Sequence, residues 1–304
     1  MIEVGLGPHS LAGFGHPGKT LGQVLSETAD AGYGHFMFLA WEGNPGADGE
    51  GDAPDAFINL LASDLGALRR RLGRHGLRTS AVYPGFIPDY APGTVKNTIE
   101  RLRAYREPAW ELGCDLLILP AGPAEAPRLP LARKRDHVLR VAQVANAVAS
   151  DTPGARCRVA IDAHHHALLE SAEDCEFLLA NTEQNGAGIC VSMGHLHTAG
   201  SRGWELILRH PGRVHAIAWK DHRTKHDPTG RHPFTAHELG TGDTPLREYV
   251  RAVLKTLHPG PHYITLDDVP REARADAMRR SREHLFALFA EELSVQGLGR
   301  AASA

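Results

Sequence analysis

Eight short apolar runs alternate along the chain with stretches of helical periodicity, and this alternation constrains the fold more than any other feature. In the segment 246–257, for example, apolar side chains recur at the i, i+3, i+4, i+7 spacing of an amphipathic helix. Strands separated by helices are typical of βα units, which build a parallel sheet. The apolar runs are residues 2–6, 35–40, 79–83, 116–120, 158–161, 188–192, 214–219 and 263–266.

Because eight such units follow one another without a long polar linker, the sequence predicts an α/β protein made of one closed (β/α)₈ TIM barrel. We expect the barrel to span residues 1–296 as a single domain, followed by a flexible C-terminal tail at 297–304. The chain has 304 residues, a normal length for this architecture. The main alternative is an open doubly wound sheet, but no G-x-G-x-x-G follows the first run to support a dinucleotide site.

The composition argues against two classes of binding partner, nucleic acids and membranes. The formal net charge is -3 and neither half of the chain is strongly basic, which argues against nucleic acid. No apolar run approaches the roughly 18 residues that a membrane helix needs, so no membrane partner is expected either. The four cysteines form no C-x-x-C pair and are expected to be buried, reduced thiols. We therefore expect a cytoplasmic protein that acts on a small-molecule substrate.

Polar and ionisable side chains follow most of the apolar runs. In a barrel of this kind the carboxyl ends of the strands carry the active site, so these side chains are the candidates. We predict a catalytic group made of Asp162, Asp267, His195 and Lys220. The predicted substrate-binding residues are His9, Trp41, Glu42, Tyr83, His164, Asp221 and His222.

Each candidate also has a purely structural interpretation. His164, His165 and His166 look like a metal-binding tract, but consecutive side chains point in different directions, so at most one or two can face the pocket. Lys220 and Asp221 are also consistent with an ordinary ion pair at a strand end. The alignment of several such groups at consecutive strand ends is the stronger signal.

The order of these groups resembles the xylose-isomerase-like TIM barrels, a superfamily that includes sugar phosphate isomerases and epimerases, dehydratases and AP-endonuclease family 2 proteins. The similarity covers most of the chain. It rests on the segments 29–34 (ADAGYG), 159–164 (VAIDAH), 192–200 (SMGHLHTAG), 217–221 (IAWKD) and 239–243 (LGTGD).

The resemblance implies four ligands for a divalent ion, two Glu, one Asp and one His. Asp162 and Asp267 stand at the two Glu positions, whereas Ser192 stands at the Asp position and Ala218 at the His position. Ser192 and Ala218 cannot supply the missing ligands, so the usual Mg²⁺ or Mn²⁺ site is degenerate.

Three interpretations follow from this. A metal site is rebuilt from Asp162, His195, Asp267 and one of His164 or His222, and then suits Zn²⁺, Mn²⁺, Co²⁺ or Ni²⁺. Alternatively the metal is lost, and the carboxylates, His195 and Lys220 perform metal-free acid–base chemistry. In the third interpretation, catalysis is lost and the barrel is a binding protein.

The resemblance implies an isomerase- or epimerase-like enzyme that transfers a proton next to a carbonyl of a small polyhydroxylated or keto substrate. The alternatives are a metal-free specialised barrel enzyme that performs a dehydration, cyclisation or rearrangement in secondary metabolism, or a non-catalytic barrel binding protein. The resemblance also implies a homodimer. The nuclease branch fits least, because it needs a multi-metal cluster and a basic face for DNA.

Two segments, 43–54 and 223–237, are too long for simple βα turns. They are rich in Gly, Pro, Asp and His. We predict that one or both are loops that act as a lid over the pocket.

Overall fold

A computed structural model of the protein describes residues 3–6, 19–44, 46–47, 57–86, 88–122, 129–149, 157–183, 186–225, 234–266 and 273–295. These residues contain ten strands. They are β1 Val4–Leu6, β2 His35–Ala40, β3 Arg78–Pro84, β4 Leu116–Pro120, β5 Arg158–Asp162, β6 Ala187–Ser192, β7 Val214–Trp219, β8 Asp221–Thr224, β9 Phe234–His237 and β10 His262–Ile264.

Eight of the strands pair in parallel and close into a barrel in the order β1-β10-β7-β6-β5-β4-β3-β2. The ring is closed by β1 and β10, where Val4 pairs with His262 and Leu6 with Ile264. The predicted (β/α)₈ barrel is therefore confirmed. The domain limits 1–296 and the tail 297–304 stay predictions, since the tail lies outside the described residues.

Helices cover the outside of the barrel. They are α1 Leu21–Asp30, α2 Leu65–Arg74, α3 Val95–Arg103, α4 Arg106–Glu111, α5 Leu131–Ala149, α6 Ala172–Ala180, α7 Met193–Thr198, α8 Gly203–Arg209, α9 Leu246–Thr256 and α10 Arg274–Val295. Local sequence fixes where some of them begin. In α1 and α6, capping boxes formed by Thr20 with Gln23 and by Ser171 with Asp174 satisfy the free backbone N–H groups of the first turn.

The main apolar core lies between the strands and these helices, and a second cluster fills the inside of the barrel. The inner cluster contains Met37, Ala81, Leu116, Ile118, Ala160, Cys190, Ala216, Ala218 and Tyr263. Because strand side chains alternate with a period of two, the next inward-facing positions are Asp162 after Ala160, Ser192 after Cys190 and Lys220 after Ala218. The barrel thus brings the polar ends of three adjacent strands to one mouth.

The strand limits agree with the predicted runs at β2, β4 and β7 and differ by a few residues elsewhere. The predicted loop 223–237 is different, because its described ends belong to an antiparallel pair in which β8 and β9 match Asp221 with His237 and Thr224 with Phe234. Residues 45, 48–56 and 226–233 lie outside the described residues, so the lid prediction is not tested.

Two expectations from the composition can be compared with the structure. Cys114, Cys157, Cys175 and Cys190 are buried free thiols, as predicted. Among the helices of the described residues, none combines the length and apolar composition that crossing a membrane requires.

Candidate active site

The carboxyl group of Asp162 lies at the mouth of the barrel, where β5 ends. The residue is 8% exposed. Its carboxylate bonds with the hydroxyl of Tyr83 and the thiol of Cys190. Burial, and then the charge of Asp162, raises the pKa of Tyr83 well above its usual value. The phenol therefore stays protonated and donates its hydrogen to Asp162, so a predicted catalytic residue and a predicted substrate-binding residue meet here.

Lys220 and His195 form a buried pair at the same mouth. Lys220 follows β7 directly, and its Nζ lies 3.0 Å from Nε2 of His195 in α7. The residues are 7% and 2% exposed. An ammonium group only donates hydrogen bonds, so Nε2 of His195 accepts and the imidazole proton belongs on Nδ1.

The charge state of His195 follows from its surroundings. Burial lowers the pKa of His195 well below its usual value, and the neighbouring His164 and Lys220 lower it further. His195 is therefore a neutral imidazole near pH 7, with Lys220 supplying the positive charge of the pair. This arrangement suits a group that donates a hydrogen bond from Nδ1.

Some buried polar atoms at this mouth have no hydrogen-bond partner among the described residues. They include Nδ1 of His195 and the hydroxyl oxygen of Ser192, which is fully buried at the end of β6. Buried polar groups are nearly always paired in folded proteins, because an unpaired one costs about 1–3 kcal/mol. Atoms left open in this way are ready to bind a ligand.

Two further histidine rings contact His195 of the Lys220–His195 pair. The ring centroids of His164 and His195 are 3.6 Å apart, and those of His195 and His222 are 4.8 Å apart. The structure thus brings His164 and His222, both predicted as substrate-binding, into contact with the predicted catalytic His195. Thr198 Oγ1 lies 3.0 Å from Nδ1 of His222 and helps to hold that ring in place.

Phe234 is a site residue that the sequence analysis missed. Its ring stacks on His222 with centroids 4.0 Å apart and an interplanar angle of 2°, and its edge contacts the rings of His195 and His165. It was missed because it lies in the segment predicted as a loop. The available signal was a single aromatic residue in an otherwise polar stretch near the mouth.

Glu170 is the second residue missed. Its Oε1 lies 2.6 Å from Nδ1 of His165 and accepts a hydrogen bond from the backbone N–H of His166 at 3.1 Å. The rings of His165 and His166 are 3.9 Å apart. The histidine tract therefore divides, with His164 facing His195 while His165 and His166 form a group with Glu170.

Asp221 is placed where it organises a turn. Its Oδ2 accepts hydrogen bonds from the backbone N–H groups of Gly240 and Gly242, and its Oδ1 accepts one from Thr244. It is 1% exposed. This gives Asp221 a structural role behind the mouth, and its predicted contact with substrate stays a prediction.

Trp41 and Glu42 follow β2 on a more open part of the rim. Trp41 is 42% exposed. Glu42 accepts three hydrogen bonds from Arg101 and one from Tyr105 at 2.9 Å. The hydrogen bonds from Arg101 lower its pKa even though burial opposes this. The carboxylate of Glu42 is thus already paired within the protein, while the exposed indole of Trp41 is free to contact a ligand.

His9 and Asp267 lie outside the described residues, so their predicted roles in substrate binding, catalysis and metal ligation stay predictions. The described members of the predicted catalytic group, Asp162, His195 and Lys220, all lie in the layer where β5, β6 and β7 end.

A model of the xylose isomerase-like TIM barrel family matches residues 25–288. The chain belongs to this family. Among curated proteins, no sequence matches it significantly.

Solved structures repeat the fold at low sequence identity. An L-ribulose 3-epimerase superposes with a TM-score of 0.72 at 14% identity, covering 100% of both chains. The probable 3-DHS dehydratase AsbF involved in petrobactin synthesis, from Bacillus anthracis, gives 0.67 at 13% identity, covering 94% of this chain and 99% of that one. A xylose isomerase-like TIM barrel/4-hydroxyphenylpyruvate dioxygenase fusion protein gives 0.72 at 15% identity, and this chain spans only 46% of its length.

Members of the family can bind a divalent metal. A structure of the IolI protein with a bound zinc atom superposes with a TM-score of 0.67 at 13% identity, covering 95% of this chain and 99% of that one. In this chain, two of the four positions to which the sequence resemblance assigns the ligands, Ser192 and Ala218, carry side chains that do not fit such an ion. Ser192 and Ala218 pair side by side on β6 and β7, where they offer one neutral hydroxyl and one methyl group. In addition, Nε2 of His195 is in contact with the Lys220 ammonium instead of open to a cation.

Proposed function

We propose that the protein is an acid–base enzyme of the isomerase or epimerase kind, which moves a proton next to a carbonyl of a small polyhydroxylated or keto substrate. The observation that carries the proposal is the 3.0 Å contact between Lys220 Nζ and His195 Nε2, at the mouth where Asp162 also lies. Family membership and the epimerase fold of a neighbour support it.

The proposed chemistry assigns complementary tasks to these residues. The carboxylate of Asp162 takes a proton from the carbon next to the substrate carbonyl. The negative charge that develops on the carbonyl oxygen is stabilised by the Lys220 ammonium and by the Nδ1–H of His195. Asp267 is the proposed second carboxylate, which completes the proton transfer on the neighbouring position.

In this proposal Lys220 supplies the positive charge that a metal supplies elsewhere in the family. A fixed ammonium in a water-poor mouth acts strongly on a developing oxyanion, because the local dielectric is low. His195 holds the ammonium through Nε2 and remains neutral, so it adds a donor without adding a competing charge.

The second candidate is a lyase-type reaction, in which the same proton abstraction is followed by loss of a hydroxyl group. The specific observation in its favour is the protonated hydroxyl of Tyr83 beside Asp162, since a phenol in that position can donate a proton to a leaving group. The dehydratase fold of another neighbour supports this candidate. Cyclisation, rearrangement and a non-catalytic binding role remain alternatives.

One experiment separates these candidates by screening a class of compounds instead of a single substrate. The purified protein is incubated in D₂O with a panel of ketoses and small keto acids, and the products are followed by NMR and mass spectrometry. Deuterium at the carbon next to the carbonyl supports the proposal, and loss of water supports the lyase. If panel members bind but none exchanges or reacts, the catalytic proposal is overturned in favour of a binding protein.

A further inference from the structure

We infer that His165, His166 and Glu170 form a binding site for a divalent transition-metal ion, and that zinc is the ion this ligand set suits best. The three residues lie in the connection between β5 and α6, and none of them occupies a ligand position of the family's ion. One ring nitrogen from each histidine and one carboxylate oxygen all lie within 4.8 Å of one another. Among the residues described, this is the one group of His, Cys, Asp or Glu with that geometry.

The spacing is close to what a bound ion requires. Zinc takes histidine nitrogen and carboxylate oxygen at about 2.0–2.2 Å, so tetrahedral ligand atoms lie about 3.4 Å apart. The ligand atoms are at most 4.8 Å apart, so each pair of atoms would have to move closer by at most about 1.4 Å for an ion to bind. A change of rotamer angle supplies such a shift without moving the backbone.

The ring nitrogens indicate that the group is incomplete without a ligand. Nε2 of His165 and Nε2 of His166 are buried and have no hydrogen-bond partner among the described residues. Neutral imidazole nitrogen is a common zinc ligand, whereas a buried nitrogen with no partner is costly. A metal ion would satisfy both nitrogens together.

The carboxylate is ready to bind a cation. Oε1 of Glu170 lies 2.6 Å from Nδ1 of His165 and accepts a hydrogen bond from the backbone N–H of His166, so the carboxylate is already held against both histidines. Two neutral imidazoles and one carboxylate form the ligand set of several catalytic zinc sites, in which a fourth position stays open for water or substrate.

The backbone around the group is held in place by the rest of the fold. His164 N–H donates to Leu169 O, and Ala167 N–H donates to His164 O, so the segment closes on itself. The backbone N–H of Glu170 donates to Asp174, whose Oδ2 is paired with Lys134 at 2.6 Å. This support lowers the entropy cost of organising the ligands.

His166 adopts a left-handed backbone conformation that turns its side chain towards this group. Its φ is 64°. That region costs a residue other than glycine roughly 1–2 kcal/mol. Here it brings the His166 ring to 3.9 Å from the ring of His165.

The test uses untagged full-length protein, stripped with a chelator and titrated with Zn²⁺ by calorimetry and with Co²⁺ by visible absorption. We expect one equivalent to bind, with the visible spectrum of a low-coordinate Co²⁺ ion. Loss of any one ligand should weaken Zn²⁺ binding more than the roughly 10–100-fold that is typical when a residue hydrogen-bonded to a metal ligand is changed. The variants that test this are His165→Ala, His166→Ala and Glu170→Gln. Zn²⁺ should also raise the Tm of the wild-type protein and not that of the triple variant.

The matched control is the pair His210 and Glu176, in which the His210 Nε2–Glu176 Oε1 distance is 3.9 Å and both side chains are partly exposed. His210→Ala with Glu176→Gln should leave Zn²⁺ binding unchanged. The proposal is overturned if no equivalent binds, if binding survives in the triple variant with its circular dichroism intact, or if only Asp162→Asn abolishes it. Since no substrate is used, failure here leaves the proposed acid–base function standing.

Discussion

Two groups of buried histidines in this barrel differ in whether their ring nitrogens have hydrogen-bond partners. The structural pair, His258 and His262, lies where β10 meets the surrounding helices, and its ring nitrogens have partners. His258 Nε2 lies 2.7 Å from Val214 O, and its Nδ1 accepts from Gly260 N–H. His262 Nδ1 accepts from the Trp219 indole at 3.2 Å, and its Nε2 lies 3.5 Å from His258 O.

The histidines at the mouth differ in this respect. Nδ1 of His195 and Nε2 of His165 and His166 have no partner within the described part of the chain, although all three atoms are buried. An unpaired buried nitrogen lowers stability, and at the mouth a bound ligand can supply the missing partner. The comparison therefore predicts that changes at the mouth affect activity, whereas changes in the structural pair affect stability.

The largest effect is expected at Asp162. Asp162→Asn should lower the rate of proton exchange at least ~10²-fold, the low end for an acid–base group, with the fold intact. The control is Asp115→Asn, whose carboxylate is paired with Arg158 at the opposite end of the barrel. Exchange measured by NMR should be unchanged in the control. Full activity in Asp162→Asn would show that this residue is not the base.

A similar loss is expected when the positive charge at the mouth is removed. Lys220→Met should lower kcat by about 10²-fold with a smaller change in KM, because the charge acts mainly on the transition state. Lys134→Met removes another partly buried ammonium, one paired with Asp174 at 2.6 Å, and should lower stability instead of kcat. Equal effects of both changes on kcat would contradict the comparison.

Substitutions in the structural pair should change the free energy of unfolding more than the activity. His262→Ala removes a buried ring and leaves the Trp219 N–H without its acceptor, so we expect a loss of about 2 kcal/mol in the free energy of unfolding. Urea denaturation measures that loss. Activity per folded molecule should stay within a factor of about two. Such a factor corresponds to much less than the roughly 1.4 kcal/mol in the barrier that changes a rate tenfold. A loss of activity without a loss of stability would reverse our assignment.

Two buried histidines, His262 of the structural pair and His215, predict how stability depends on pH. Burial lowers the pKa of His262 to about 3 and that of His215 to about 4, against about 6.5 in the unfolded chain. Below about pH 6.5 the unfolded state therefore binds more protons than the folded state. Stability should be complete above that pH and fall as the pH drops, by up to about 1.4 kcal/mol per pH unit for each histidine. Unfolding midpoints at pH 7 and pH 5 test this, and His262→Gln should flatten the slope.

The smallest effect is expected at Glu42, a rim residue whose carboxylate is already paired with Arg101 and Tyr105. Glu42→Gln should change the free energy of unfolding by less than about 1 kcal/mol, as is usual for a partly exposed ion pair. Its effect on kcat/KM should be below tenfold. A larger loss would mean that Glu42 leaves its protein partners to bind substrate.

The sequence predicted the barrel and the strand ends well, for a physical reason. Apolar runs and helical stripes are local properties, so the ends of β5, β6 and β7 could be placed before any contact was known. Asp162, His195 and Lys220 followed from those ends. Which groups these side chains contact is decided by tertiary packing, so the bond between Lys220 and His195 was not predicted.

The missed residues depend on the path of loops. Glu170 contacts His165 across a short connection in which His166 takes a left-handed conformation that the sequence does not signal. Phe234 reaches the mouth through the antiparallel pairing of β8 with β9, which short polar strands hide from a periodicity argument. Both cases show why strand ends are easier to predict than the segments that fold over them.

The stacking of Phe234 on His222 has a practical consequence for following this protein in solution. An aromatic ring placed 4.0 Å above an imidazole and parallel to it shifts the proton resonances of that imidazole upfield through its ring current. The carbon-bound protons of His222 should therefore stand apart from those of the other 18 histidines in an NMR spectrum. A molecule that enters the mouth and separates the two rings would move those signals back, so the protein contains its own label for detecting ligands.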